Sequence, residues 1–325
     1  MNRQDRRANS DPRVKERNNR LKKRALREAA MTPKPPEAFT RGIVVALGPG
    51  ICTAVSHGVE AHYRCDIVVA PGDEVLVENG KVTGITPRRT SLSRMDPSNP
   101  NRERIIVANI DLVVIVASLT DPPFRKGLVD RYLAATQRGG AKAVLCVTKN
   151  DLGGDLSVAD AYRQLGMPVI VCSIETGQGI EELRGLLAGS LSVLVGHSGV
   201  GKSSLTNALL DADVAKTGAV DEANRKGRHT TTASKLYQLK NGGRIIDTPG
   251  IRAFGLKPMT KDEIEAAFPE FREFECRFRD CSHDHEPECG VKDAVAQGLV
   301  NEHRYQSYLR LSMGHGVNDG VEEEA

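Results

Sequence analysis

The sequence predicts a multidomain α/β protein: a small β-barrel, then a parallel sheet with helices on both faces, then a small helical segment built on a metal site. Three observations predict it. Residues 40–104 carry short strand-like runs broken by turn dipeptides. From Ile105 apolar strands alternate with helix-patterned stretches. Three of the seven cysteines cluster with histidines between Cys276 and Cys289.

A chain of 325 residues exceeds one small core, so two or three domains are expected. Hydrophobic content of 39% with 27% charged residues is ordinary for a soluble protein. The net charge is only +3, but it is unevenly spread. Met1 to Lys34 holds twelve Lys/Arg against four Asp/Glu, whereas the chain closes on Glu322-Glu323-Glu324. A basic arm of this kind suits a polyanion such as nucleic acid; the plainer alternative is a solvated tail. The longest apolar run, near Ile110 to Ala117, is far short of the roughly 18–20 residues a membrane span needs. No apolar stretch follows the basic start, as a signal peptide would require. A cytoplasmic location is expected, and an odd cysteine count there favours a metal site with buried thiols over a disulfide framework.

In chain order, residues 1–38 are highly charged, end in Pro33-Lys34-Pro35-Pro36, and are expected to be disordered in isolation. Residues 39–104 form the barrel. Gly42–Leu47, Ile51–Ser56, Val59–Tyr63, Ile67–Val69, Glu74–Val77 and Val82–Ile85 read as strands, with breaks at Gly48-Pro49-Gly50, Pro71-Gly72 and Asn79-Gly80. So few short strands in about sixty residues favour an OB-fold-like barrel over a sandwich. Tyr63 is its one aromatic suited to stacking, so Arg88, Arg89, Arg94, Arg102 and Arg104 are expected to contact phosphates instead; a structural adaptor barrel is the alternative.

Residues 105–256 form the alternating domain. Strands are expected at Leu112–Ala117, Ala143–Val147, Val169–Cys172 and Leu191–Val195, and helices at Gly127–Thr136, Val158–Leu165, Ile180–Leu187 and Lys202–Leu210. Leu236–Lys240 and Gly243–Ile246 add a hairpin through Asn241-Gly242. Residues 257–313 are the metal-binding helical part, and residues 314–325 an acidic disordered tail.

Gly196-His197-Ser198-Gly199-Val200-Gly201-Lys202-Ser203-Ser204 is a G-x-x-x-x-G-K-S phosphate loop between a buried strand and a helix. Glycines let backbone N–H groups close around an anion, and the helix N-terminus aims its dipole at the same place. Lys202 can reach the β- and γ-phosphates, and the Ser203 hydroxyl can ligate Mg²⁺. Thr148-Lys149-Asn150-Asp151 resembles the guanine-reading N-K-x-D motif of GTPases, with Thr148 where the motif has Asn. A carboxylate at Asp151 can accept from guanine N1–H and the exocyclic amine, donors that adenine does not present there. Cys172-Ser173-Ile174 resembles the S-A-K loop of the same enzymes. Asp247-Thr248-Pro249-Gly250 is a D-x-x-G motif: Asp247 can hold Mg²⁺ through water, and the Gly250 N–H can sense the γ-phosphate. In Gly227-Arg228-His229-Thr230-Thr231-Thr232, Thr231 is the first choice as a magnesium-capping switch threonine. Ile251 stands where Ras-like enzymes have the water-orienting Gln, so intrinsic turnover is expected to be slow. His229, whose ordinary pKa lies near neutrality, is the candidate to replace it; a structural or partner-facing role is the alternative.

Cys276-x4-Cys281-x-His283-x5-Cys289 supplies three thiolates and an imidazole, the inventory of a closed structural zinc site, with His285 as a competing nitrogen. Phe268, Phe271, Phe274 and Phe278 form a helically spaced stripe leading in and read as core; Val291–Leu311 reads as the helical stretch that packs on the site.

Guanine-reading elements precede the phosphate loop, the reverse of the ordinary GTPase order. The chain therefore resembles the circularly permuted P-loop GTPases. With the flanking barrel and the metal motif it is similar, over roughly Thr40 to Leu311, to the RsgA-type family of bacterial small-ribosomal-subunit biogenesis GTPases. The resemblance implies one structural zinc on Cys276, Cys281, His283 and Cys289, Mg²⁺ with GTP, and the small subunit and its rRNA as partners. It implies a monomer that acts late in assembly and leaves after hydrolysis. Two other classes fit parts of the sequence: an RNA-binding protein with a regulatory or structural nucleotide site, and a P-loop small-molecule kinase. The kinase has no use for Asp151 or the Asp247 motif.

Overall fold

A computed structural model describes residues 41–96, 99–210, 235–247 and 259–313. The expectations for the basic arm, for His229 and Thr231, for Gly250 and Ile251, and for the acidic tail lie outside the described residues. The chain divides into two compact units, with the division after Arg88.

The first unit is a closed five-stranded barrel in the order β1-β2-β3-β5-β4. Its strands are β1 (Arg41–Gly48), β2 (Ile51–Ser56), β3 (Val59–Arg64), β4 (Glu74–Glu78) and β5 (Lys81–Ile85). All pairings are antiparallel except β3 with β5, where Arg64 meets Lys81. Two of the three two-residue hairpins turn through His57-Gly58 and Asn79-Gly80, all four residues at positive φ, which matches the right-handed strand twist. Val44, Cys52, Ala54, Tyr63, Val75 and Val82 fill the interior.

The expected strand at Ile67–Val69 does not form. Asp73 folds back so that its carboxylate accepts from the Ala70 N–H at 2.7 Å, curling the segment into a turn that leaves Val68 74% exposed. Asp73 itself is fully buried and takes a two-pronged ion pair from Arg88, at 2.6 and 2.8 Å. Arg88 is thus committed to closing the barrel and is not a free phosphate contact; its hydrogen bond to Asp73 raises its pKa further. Arg89, the next residue, bonds Asp111 of the second unit at 3.2 Å.

The second unit opens on a hairpin, β6 (Ser91–Asp96) with β7 (Asn99–Ala108). Its main sheet has β8 (Leu112–Ser118), β9 (Lys142–Thr148), β10 (Val169–Val171), β11 (Leu191–Val195), β12 (Lys235–Gln238) and β13 (Arg244–Asp247). The order is β10-β9-β8-β11-β13-β12, and the four pairings from β10 to β13 are parallel. Apolar residues alternate between the faces. Val113, Ile115, Leu145 and Val193 pack under α1 (Lys126–Arg138) and α2 (Asp160–Gln164). Val114, Val116, Cys146 and Leu194 pack under α3 (Ile180–Leu186) and α4 (Lys202–Leu209). Burial on both faces is why these strands read as continuous apolar runs. The β6–β7 hairpin is held to α1 where the Ser91 N–H donates to Gly139 O and Arg138 donates to the Ser93 hydroxyl, both at 3.0 Å. A Cβ at Gly139 would stand 2.1 Å from Ser91 O, so only glycine allows this approach.

The C-terminal part holds α5 (Lys261–Ala267), α6 (Gly290–Ala296) and α7 (Glu302–Ser312). Thr260 and Glu263 form a reciprocal capping box that starts α5. The phenylalanine stripe is not one helix, because α5 ends at Ala267 and a 3₁₀ turn follows. Phe268 and Phe271 enter the core with Tyr305 and Tyr308, whereas Phe278 is 41% exposed and lies beside Arg277. The region expected as one helical stretch is two helices, α6 and α7. Among the described residues no helix is long and apolar enough to cross a membrane.

A buried charge cluster joins α7 to α1. Arg304 bonds Asp130 and Glu270 at 2.8 Å and the Ala267 carbonyl at 2.9 Å, with its guanidinium 4.1 Å from the Phe268 ring centre. His303 lies 3.1 Å from the other Asp130 oxygen. Burial alone would raise the Asp130 pKa, but the hydrogen bond to His303 and the Arg304 charge outweigh it and hold the carboxyl below the usual range. This contribution to stability is full above the ordinary carboxylate value, about pH 4, and is lost as pH falls through the lower folded-state value. Asp130→Asn should remove it at neutral pH. Because Glu270 shares Arg304, the expected loss is near the low end for a broken buried pair, about 3 kcal/mol. Denaturant titration followed by circular dichroism would measure it, and an unchanged midpoint would refute the anchoring role.

Candidate nucleotide site and metal centre

The phosphate loop leaves β11 and turns directly into α4. Gly196, Gly199 and Gly201 have φ of 147°, 86° and 89°, a region side chains disfavour. At Gly196 space forbids a side chain as well, since a Cβ would lie 2.2 Å from Val116 O. Val200 is buried and anchors the loop in the core. Ser203 and Ser204 begin α4 on its exposed side. The Lys202 ammonium donates to Gly196 O at 2.8 Å and His197 O at 2.5 Å, so it already arches over the loop. His197 Nδ1 contacts Ser198 O at 2.7 Å.

The residues expected to read the base come from the ends of β9 and β10. Thr148, at the place of the motif's Asn, is fully buried. Its hydroxyl lies 2.6 Å from Val200 O and 3.1 Å from Ala117 O, so one side chain ties β8, β9 and the phosphate loop together. Lys149 follows in a left-handed conformation, φ 57° and ψ 35°. Its ammonium donates to the Asp121 carbonyl at 2.7 Å and stands 3.3 Å from the Asp121 carboxylate. The Asn150 amide donates to Gln178 Oε1 at 2.9 Å. The Ser173 hydroxyl donates to Asp151 at 2.6 Å and accepts from the Thr176 N–H at 3.2 Å, which orients the carboxylate expected to read guanine.

Asp247 ends β13 and is exposed. Val193 pairs with Ile246, so Asp247 lies level with Leu194, one residue before the phosphate loop's strand ends. The structure thus brings Thr148, Lys149, Asn150, Asp151, Ser173, Gly196–Ser204 and Asp247 to the carboxyl edge of one parallel sheet, where such sheets bind ligands. Asp121 and Gln178 were not identified as site residues from sequence. The Asp121-Pro122-Pro123 turn directly after β8 was the available signal for the first.

The metal residues meet in the C-terminal part. One donor atom from each of Cys276, Cys281, His283 and Cys289 lies within 4.8 Å of the others. The Cys276 and Cys289 sulfurs are 3.8 Å apart, and they stand 3.4 and 3.5 Å from His283 Nδ1. Tetrahedral zinc would set these edges at about 3.8 Å for S···S and about 3.5 Å for S···N. The donor set therefore fits such an ion. His285 is outside the cluster, 80% exposed beside Asp284. Tyr305 donates to His283 O at 2.7 Å, and the Phe271 and Tyr308 rings pack on the imidazole. Burial lowers the His283 pKa, which favours the neutral ligand form, and pushes the Cys281 thiol up to about 12, so metal binding must displace its proton.

Thr148→Val should leave two buried carbonyls without this hydroxyl at nearly unchanged volume. The expected cost is about 1–2 kcal/mol in thermal stability. Weaker nucleotide binding should accompany it, because the phosphate loop loses its tie to β9. Calorimetry and nucleotide titration of the variant would check both, and wild-type values in both would show that the hydroxyl holds nothing.

The chain matches the model of the RsgA GTPase family over residues 85–257. It is 42% identical over 289 residues to the small ribosomal subunit biogenesis GTPase RsgA of Chlorobaculum tepidum, covering 82% of this chain and 93% of the relative. It is 39% identical over 264 residues to the protein of the same name from Pseudomonas putida KT2440, covering 77% and 76%. Among solved structures, YjeQ from Thermotoga maritima aligns with a TM-score of 0.63 at 28% identity, over 85% of this chain and 98% of that one. YloQ, described as a circularly permuted GTPase, aligns with a TM-score of 0.63 at 25% identity, over 87% and 97%. A Thr148–Asp151 motif that precedes the glycine-rich loop in the chain, together with a closed barrel and a four-donor cluster, is accounted for by these matches: the chain belongs to the RsgA GTPase family.

Proposed function

We propose that this GTPase binds the small ribosomal subunit late in its assembly, hydrolyses GTP to GDP and phosphate there, and leaves in the GDP state. The observation that carries the nucleotide reading is the Ser173–Asp151 hydrogen bond of 2.6 Å beside a phosphate loop on the same sheet edge. The relatives' names supply the small subunit. In this reading the contacts are to rRNA phosphates, made by the basic arm and by arginines of the β6–β7 hairpin such as Arg102 and Arg104, which are exposed. The protein acts as a monomer in the cytoplasm.

Water attacks the γ-phosphorus in line, and the bond to the β–γ bridging oxygen breaks, leaving GDP and inorganic phosphate. Lys202 and the backbone N–H groups of the loop stabilise the charge that develops. Ser203, Thr231 and Asp247 would hold Mg²⁺, which would supply neutralisation of the phosphate oxygens when bound. His229 orients the attacking water in place of the amide that Ile251 lacks. Hydrolysis by the protein alone is accordingly slow. Zinc is the ion of the Cys276, Cys281, His283 and Cys289 cluster, and with no open position its role is structural.

GTP hydrolysis should be strongly stimulated by purified small subunits and not by large subunits. Equal rates with both would remove the ribosome from the mechanism. Asp151→Asn should weaken GTP binding roughly a hundredfold, because the charge is lost and one acceptor becomes a donor that faces guanine's exocyclic amine. It should favour xanthosine triphosphate, whose C2 carbonyl can accept from the new amide. Unchanged selectivity would refute the base assignment. One zinc per chain should be found by metal analysis and be lost in Cys281→Ser, with proteolytic opening of the C-terminal part. Retention of zinc by that variant would move the metal elsewhere.

A further inference from the structure

We propose that Asp121 is a positioning residue for guanine-nucleotide binding, acting through Lys149. The inference rests on the reading of Thr148–Asp151 as the base-reading motif. In that reading the methylene stem of Lys149 lies along the face of the base, so its direction decides whether the pocket has a wall. A lysine stem has four rotatable bonds and does not hold one direction unaided.

Asp121 fixes it with two acceptors of one residue. The Lys149 ammonium donates to the Asp121 carbonyl at 2.7 Å, and the carboxylate lies 3.3 Å away. The ammonium is drawn across to the loop that follows β8, and the stem spans the space between. Lys149 is itself held in a left-handed conformation, which fixes the direction in which its side chain leaves the backbone.

The segment carrying Asp121 is built to stay in place. The Ser118 hydroxyl donates to Pro122 O at 2.6 Å, and the Phe124 N–H donates to Leu119 O at 3.2 Å, closing the loop on itself. On the base-reading side it backs onto Gly154, where a Cβ would lie 2.6 Å from the Leu119 Cβ. On the phosphate side Pro122 comes within 3.7 Å of the Cβ position of Gly199. The loop therefore touches both nucleotide-binding loops, and Asp121 is its charged contact to the base-reading one. The Asp121 side chain is 78% exposed and that of Lys149 29%, so the carboxylate contributes as a partly screened ion pair.

The test is equilibrium titration of the full-length protein with GDP and with GTP, together with steady-state hydrolysis. Asp121→Ala should weaken both nucleotides by about three- to fivefold, the range of a partly exposed ion pair. KM for GTP should rise by the same factor while kcat does not change, because the effect lies in ground-state binding. Asp121→Glu should recover part of the loss, and Asp121→Asn, which keeps the shape and removes the charge, should behave like Ala. The decisive measurement is the double variant. In a Lys149→Ala background, Asp121→Ala should have no further effect; an equal loss in both backgrounds would overturn the proposal. So would nucleotide affinity unchanged in Asp121→Ala. Asp151→Asn, assayed in parallel for its preference between GTP and xanthosine triphosphate, tests the base-reading motif separately. If that preference shifts and Asp121→Ala does nothing, Asp121 alone is misassigned.

Discussion

The nucleotide site depends on a single strand. β8 is buried along its whole length and pairs in parallel with β9 on one side and β11 on the other. The loop expected to read the base leaves β9 and the glycine-rich loop leaves β11, so their separation is set by two registers read from the same backbone. Ser118 pairs with Thr148 at one edge, and Ile115 pairs with Val195 at the other. A slip of one residue in either would exchange the side chains of that strand between the two helix-covered faces and spoil the packing of both cores. The Thr148 hydroxyl then closes the triangle by meeting Ala117 O of β8 and Val200 O of the phosphate loop. Stability and ligand geometry are here the same constraint.

That constraint explains why permuting the chain does no harm to the site. A parallel sheet needs its strands side by side in the right direction, and the site needs only their carboxyl ends. Neither depends on which strand is made first. The permutation moves the chain ends instead, so that the D-x-x-G strand β13 is followed in sequence by the metal-binding part. That part is locked to α1 through Arg304, Asp130 and Glu270, a buried ionic cluster between one helix of the sheet's cover and the last helix of the chain. Its packing surface is also aromatic, with Phe268, Phe271, Tyr305 and Tyr308 meeting around the metal residue His283.

Much of this was legible in the residues. Double-sided burial made the strands of the sheet visible as apolar runs, and spacing alone identified the four donors that the structure brings together. Turn chemistry located the Asn79-Gly80 hairpin of the barrel. The failures share a cause. Ile67–Val69 has the composition of a strand, but the buried carboxylate of Asp73 captures the Ala70 N–H just after it and turns the chain, and that partner becomes visible only in three dimensions. The phenylalanine stripe keeps helical spacing after the helix has ended, so Phe278 is carried outward while Phe268 goes in. Ser173 could be tied to Asp151 only by analogy until the two loops were seen together, and the prolines after Asp121 mark a turn without naming Lys149 as its partner.

Arg88 and Arg89 are neighbours in the chain that answer to different bodies. The first is clamped to the buried Asp73 of the barrel, and the second bonds Asp111 at the foot of the sheet. One peptide therefore separates a side chain spent on closing the barrel from a side chain spent on the edge of the sheet. Each body fastens its own boundary residue with a carboxylate of its own, so each fold is finished by an arginine at its own margin.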